Sequence, residues 1–279
     1  MTPRRLIGAL GALLLFALFL ALLLPTDALV RRLLARGTPP GWGAIAFERA
    51  ALRPGGIRLE GVTLRTPAGT TMLKAGRLQF RPALTSLLRG GSGRPWTIVA
   101  EVCGGHCETV VTDDGPATAV TLDCRDIDLA GCPRLRLLGG ALEEGRAAGA
   151  ARVRIAPPAP PEGTGTLALR HALWQGTGRL AVLGDVHADT FDLRWRLGGG
   201  RLMLETLALR GPEVSVSGEG GVDLADPLPA SALDLALGVT QAPQAPGRIR
   251  FLFGLDGDPA TPRQLTITGT LGAPAVQIQ

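Results

Sequence analysis

Four cysteines carry most of the reactive chemistry in this chain: Cys103, Cys107, Cys124 and Cys132, all within thirty residues. Thiols at such spacing can hold a metal, exchange electrons or close disulfides. Zinc would have to recruit His106, which stands inside Cys103-Gly104-Gly105-His106-Cys107. Cys-x3-Cys with one nearby histidine is a poor match to zinc-site spacings. A dithiol redox centre needs Cys-x-x-Cys, and covalent haem needs Cys-x-x-Cys-His; the stretch has neither. An even number of cysteines beyond a membrane anchor points instead to two structural disulfides. Three pairings are open. The short loops favour Cys103–Cys107 at a hairpin tip together with Cys124–Cys132 around the sequence RDIDLAG.

The remaining candidates are few. His106, His171 and His187 are the only histidines, and none falls in a helical zinc-hydrolase pattern. No Gly-x-Ser-x-Gly elbow and no phosphate-cradling loop ending in Lys-Ser/Thr occurs. Gly163-x-Gly165-x-x-Ala168 has the spacing of a dinucleotide fingerprint, but it follows a proline run and opens a strand, so the strand–turn–helix context is missing. Asp256-Gly257-Asp258 is too short for a calcium loop, and Asp113-Asp114-Gly115-Pro116 is a turn by composition. The residues offer no catalytic set, no cofactor site and no metal site. The sequence therefore predicts a protein that is not an enzyme and uses no cofactor.

The elements that position these residues begin with a membrane anchor. From Leu6 to Leu24 the chain reads LIGALGALLLFALFLALLL, without a charge. At about 1.5 Å per residue this helix reaches roughly 30 Å, the hydrocarbon thickness of a bilayer. The alternative is a cleaved signal peptide ending near Thr26 and Ala28, but a secretory apolar region usually runs only ~7–15 residues. Arg4 and Arg5 place the N-terminus in the cytoplasm. Arg31, Arg32 and Arg36 on the far side argue the other way, and the cysteines favour a translocated domain. The expected topology is a single span with the N-terminus cytoplasmic and residues 38–279 in the periplasm. Thr26 to Arg36 reads as a short amphipathic helix. Its arginines either meet lipid headgroups, as Arg4 and Arg5 do, or face water.

Beyond residue 44 the apolar period changes from helical to two, the period of strands. GIRLEGVTL (56–64) alternates, with a slip at Gly61 that suggests a bulge. Pro82–Arg89 reads as a brief helix. Leu193, Trp195 and Leu197 alternate with Arg194 and Arg196; Leu233, Leu235, Leu237 and Val239 do the same. Turn signals recur every ~8–12 residues, which means antiparallel sheet. The fold expected is mainly β: one transmembrane helix, then an elongated, curved antiparallel sheet or sandwich with one or two short helices. Residues 1–37 form the anchor and juxtamembrane helix, 38–156 a first β subdomain with the cysteine pairs, 157–165 a Pro/Gly spacer, and 166–279 a second β subdomain. The net charge of +5 is scattered arginine, and aromatics make up 4% of residues. That balance does not favour a nucleic-acid partner.

Four stretches give the chain a resemblance to a known family. They are the anchor running into LLLPTDALVRRL; GGIRLEGVTLRTP with AGRLQFRPALTSLLRG; GGGRLMLETLALRGPEVSVSGEGGVDLADPLPASALDLALGV; and the ending LTITGTLGAPAVQIQ. Together they cover about half the chain. In this order they resemble the type II secretion system protein N family, a relative of the AsmA-like proteins of Gram-negative envelopes. The resemblance implies a non-catalytic inner-membrane accessory whose periplasmic β domain helps export folded proteins, in contact with other inner-membrane or periplasmic secretion components. The AsmA-like kinship implies an alternative: lipid bound or transferred along an apolar groove. The CGGHC hairpin and the paired cysteines are not features of the family.

Overall fold

The computed structural model describes residues 45–53, 56–65, 71–82, 95–132, 135–137, 140–176, 185–227, 230–241 and 262–278. They form sixteen strands: β1 (Ile45–Ala46), β2 (Arg49–Arg53), β3 (Gly56–Arg65), β4 (Thr71–Pro82), β5 (Trp96–Val102), β6 (Gly105–Asp114), β7 (Ala117–Asp128), β8 (Leu135–Leu137), β9 (Gly140–Ile155), β10 (Glu162–Gly176), β11 (Asp185–Gly198), β12 (Arg201–Arg210), β13 (Val214–Asp223), β14 (Ala232–Gln241), β15 (Arg263–Thr270) and β16 (Ala273–Ile278). One antiparallel sheet takes in all of them. Neighbours in the sheet are neighbours in sequence almost throughout, because period-two strands joined by tight turns pair most readily with the strand just made. The exceptions are β1 and β2, which share β3 as partner, and β8, which pairs with the start of β9 while β7 pairs with its remainder.

The turns follow from their residues. Gly199 and Gly200 both have positive φ, which the two-residue link from β11 to β12 requires. Cys103 and Gly104 do the same between β5 and β6. One 3₁₀ turn, Leu129–Gly131, is described in full. Asp128 starts it, its carboxylate accepting from the Ala130 N–H at 3.1 Å.

Several expectations change here. The sandwich resolves to a single sheet among the described residues. Residues 157–165 do not separate two bodies. The proline run closes a hairpin, and Glu162 to Gly165 already pair with Arg154 to Ala151. Proline is excluded from a sheet interior, but a hairpin turn meets that demand as well as a linker does. Gly61 is a kink without a register shift: Glu60 faces Arg77 and Val62 faces Ala75 in unbroken count. Its positive φ turns Leu59 and Val62 into the same buried cluster. No helix among the described residues is long and apolar enough to cross a membrane; residues 6–24, the helix expected at 26–36 and all but the first residue of the one expected at 82–89 lie outside them.

Candidate functional site

Side chains directly opposite one another in a ladder share a face of the sheet. The registers therefore define two surfaces. On one, a row runs Leu59–Leu78–Ala100–Cys107–Cys124–Gly149–Leu167–Leu193–Leu207–Gly218–Leu237–Leu265, one residue from each of twelve consecutive strands. No member is charged. Eleven strand spacings of about 4.8 Å make the row roughly 50 Å long. A second row beside it runs from Phe80 through Ile98, Thr109, Leu122, Ala151, Gly165, Trp195, Leu204, Gly220 and Leu235 to Ile267.

Two details keep these rows in register. At Gly165 an added Cβ would overlap the Trp195 indole, so the ring lies across the glycine. Leu237 and Leu235 likewise occupy the space above Gly218 and Gly220. In β12 the pairing shifts around Glu205, so that Leu204 and Leu207 stay on one face.

Three small buried clusters lie along this apolar side. The first gathers Phe47, Ala50, Leu59, Val62, Ala75 and Val102, the second Leu129, Leu142, Ala172 and Ala188, the third Val214, Val239 and Leu265. Between them the face is only half covered. Leu167 is 36% exposed, and no second sheet lies over it among the described residues. At the β1–β5 end the face deepens into a pocket of about 140 Å³ walled by Ile45, Leu59, Val62, Leu64, Leu78 and Phe80.

The other surface is polar. It carries the ion pairs Arg77–Glu101, Arg125–Asp123, Arg170–Asp192 and Arg196–Glu205, at 2.7, 2.7, 2.8 and 2.8 Å. The guanidinium of Arg125 hydrogen-bonds the Asp123 carboxylate and holds it below the ordinary aspartate range; Asp123 in turn raises Arg125. Asp192 raises Arg170 in the same way. A shallow hollow of about 420 Å³ lies here among Thr121, Asp123, Arg152, Thr164, Arg194 and Glu205.

No family model, curated protein or solved structure matches the chain.

The four cysteines form two disulfides, Cys103–Cys132 and Cys107–Cys124. The pairing expected from loop length, 103–107 with 124–132, is corrected. Cys107 and Cys124 are directly opposed on β6 and β7, with Cα atoms 4.1 Å apart. Cys103 sits in the β5–β6 turn, where it cannot face Cys107, which stands opposite Ala100. It meets Cys132 instead, at a Cα separation of 5.2 Å. The Asp128 N–H donates to the Cys103 carbonyl at 3.0 Å and brings the 3₁₀ turn against the hairpin tip.

The histidines do not converge. His106 stands opposite Glu101 and Arg125, His171 occupies a positive-φ position in β10, and His187 lies in β11; all three are exposed. Among the described residues no three His, Cys, Asp or Glu side chains gather as a metal would require. Arg4, Arg5, Arg31, Arg32 and Arg36 lie outside the described residues.

Proposed function

We propose that this chain is a non-enzymatic, membrane-tethered envelope protein that binds lipid acyl chains along the apolar face of its sheet. The observation that carries the reading is the uncharged row from Leu59 to Leu265. Between the buried ends Leu59 and Leu265 its members are half-buried or, at Leu167, exposed, with no second sheet over them among the described residues; contiguous apolar surface left open in this way marks a binding site. The length of the row, about 50 Å, exceeds the ~30 Å hydrocarbon thickness of a bilayer, so whole lipid tails fit against it. In this reading the sheet is the elongated, curved body of an AsmA-like protein, and residues 6–24 span the inner membrane. Two disulfides suit an oxidising compartment, which supports a periplasmic sheet and a cytoplasmic N-terminus.

The test is photo-crosslinking of the full chain in lipid nanodiscs with diazirine-bearing palmitate. Labelling is expected on the apolar side of β9–β12. Leu193→Glu with Leu207→Glu should reduce it at least tenfold, while Arg194→Gln on the opposite surface should leave it unchanged. Absent labelling, or labelling indifferent to face, would overturn the reading.

A second reading, favoured by the four resembling stretches and by the exposed run Leu271–Gln277 at the outer edge of the sheet, makes the chain an accessory of the type II secretion system. An uncovered edge strand offers its backbone to a partner strand. The partners would be other inner-membrane or periplasmic secretion components. Deleting the gene should then trap exoproteins in the periplasm; normal secretion with altered envelope lipid would leave only the first reading standing.

A further inference from the structure

Granted the acyl-chain reading above, we infer that the pocket at the β1–β5 end is the terminus of the lipid track and receives the methyl end of an acyl chain. Three observations place it there. First, Leu59, Leu78 and Ala100, the opening members of the long apolar row, also line the pocket, so the row and the pocket are one surface. Second, the floor of the pocket is buried: Leu59, Val62 and Ala75 line it at 1%, 7% and 4% exposure, and Phe47, Ala50 and Val102 pack into the same cluster. Third, every lining residue is apolar, and the volume is about 140 Å³. An apolar cavity of about 150 Å³ stays dry and takes up a molecule the size of benzene.

The same volume excludes the nearest competitor. Residues 1–44 precede Ile45 and include the apolar stretch 6–24; a segment that entered as a helix would be ~10–12 Å across with its side chains, too wide for a space of this size. The terminal carbons of a hydrocarbon chain can. A polar headgroup would find no hydrogen-bond partner there and is left at the other end of the track.

The experiment uses the full chain in nanodiscs and two palmitate probes, one with a diazirine at the methyl end and one beside the carboxyl. The methyl-end probe is expected to label β3–β5, and the carboxyl-end probe to label strands beyond β7. Ala100→Phe fills the pocket. Each methylene withdrawn from an apolar site costs about fourfold in affinity, so palmitate binding should fall roughly tenfold or more while decanoate binding holds. Phe80→Ala enlarges the pocket and should shift preference toward longer chains, which keeps a readout even if the first variant folds poorly. Methyl-end labels spread evenly over the sheet, palmitate affinity untouched by both substitutions, or a crosslink from the pocket to residues 1–44 or to another copy would each overturn the inference. Palmitate bound along β9–β12 with both variants silent removes the pocket alone. No palmitate bound anywhere removes the acyl-chain reading with it.

Discussion

Asp123 and Arg125 lie two residues apart on the wet side of β7, their Oδ1 and Nε 2.7 Å apart. The hydrogen bond lowers the Asp123 pKa, so its contribution is present above the ordinary aspartate value, near 3.9, and is lost as pH falls through the lower folded value. Both groups are exposed, and salt screens them. Arg125→Gln should therefore raise the Asp123 titration midpoint in carbonyl NMR and leave the urea midpoint at neutral pH unchanged. The cysteines act on a larger scale. Their loops of 29 and 17 residues are nested. In the chain-entropy account, removing Cys103–Cys132 by paired serine substitution costs about 2–4 kcal/mol, measurable by urea unfolding. Removing both pairs should cost more than the sum of the single removals, because each bridge left in place still restrains part of the loop that the other closes. That the cysteines pair at all was legible in the sequence; their partners were misread through loop length. The missing signal was the turn at Gly115-Pro116. Counting seven residues outward from Asp114 and Ala117 lands on Cys107 and Cys124. Strand register decides which thiols meet, and proximity in sequence does not.

At the level of the strand, alternation predicted the sheet well wherever polar and apolar residues take turns, as in β11 and β14. It was weaker where glycine interrupts. Gly165, Gly218 and Gly220 look like defects in a strand read alone, since glycine packs nothing. Across the ladder each is a seat for a large neighbour, Trp195, Leu237 or Leu235. Gly165→Val should destabilise the sheet by about 1–3 kcal/mol through overpacking and shift the Trp195 fluorescence, read by thermal melting and emission spectra. The three-residue spacing from Leu204 to Leu207 carried the β12 bulge in plain sight. A strict period of two cannot place both on one face unless a residue is set aside, and Glu205 is that residue. The 3₁₀ turn before Cys132 was missed for a different reason. A single turn has too few residues to show a period, and its only local sign is Asp128 just ahead of it.

For the whole molecule, the sequence suggested two β subdomains about a proline spacer, and the structure has one sheet through that point. Composition marks where a chain must turn, but it is silent on whether the next strand returns to the same sheet. The candidate surface was legible one strand at a time and became visible as a continuous face only through the registers. Its proposed setting makes a direct prediction. In spheroplasts of cells producing the full chain, added protease should degrade the sheet, and a maleimide probe should label its cysteines only after reduction. Protection from protease, or thiols labelled without reductant, would put the domain on the other side of the membrane.

Sequential pairing has one more consequence. Since each strand touches little beyond its two flanking strands, the sheet grows or shrinks by whole hairpins, as stacked arrays do by whole repeats. A duplicated or lost pair of strands would change the reach of the molecule by about 10 Å and leave its two ends unaltered. Span is then an inherited variable, adjustable without redesigning either terminus, and homologous chains fitted to envelopes of unequal width should differ by even numbers of strands.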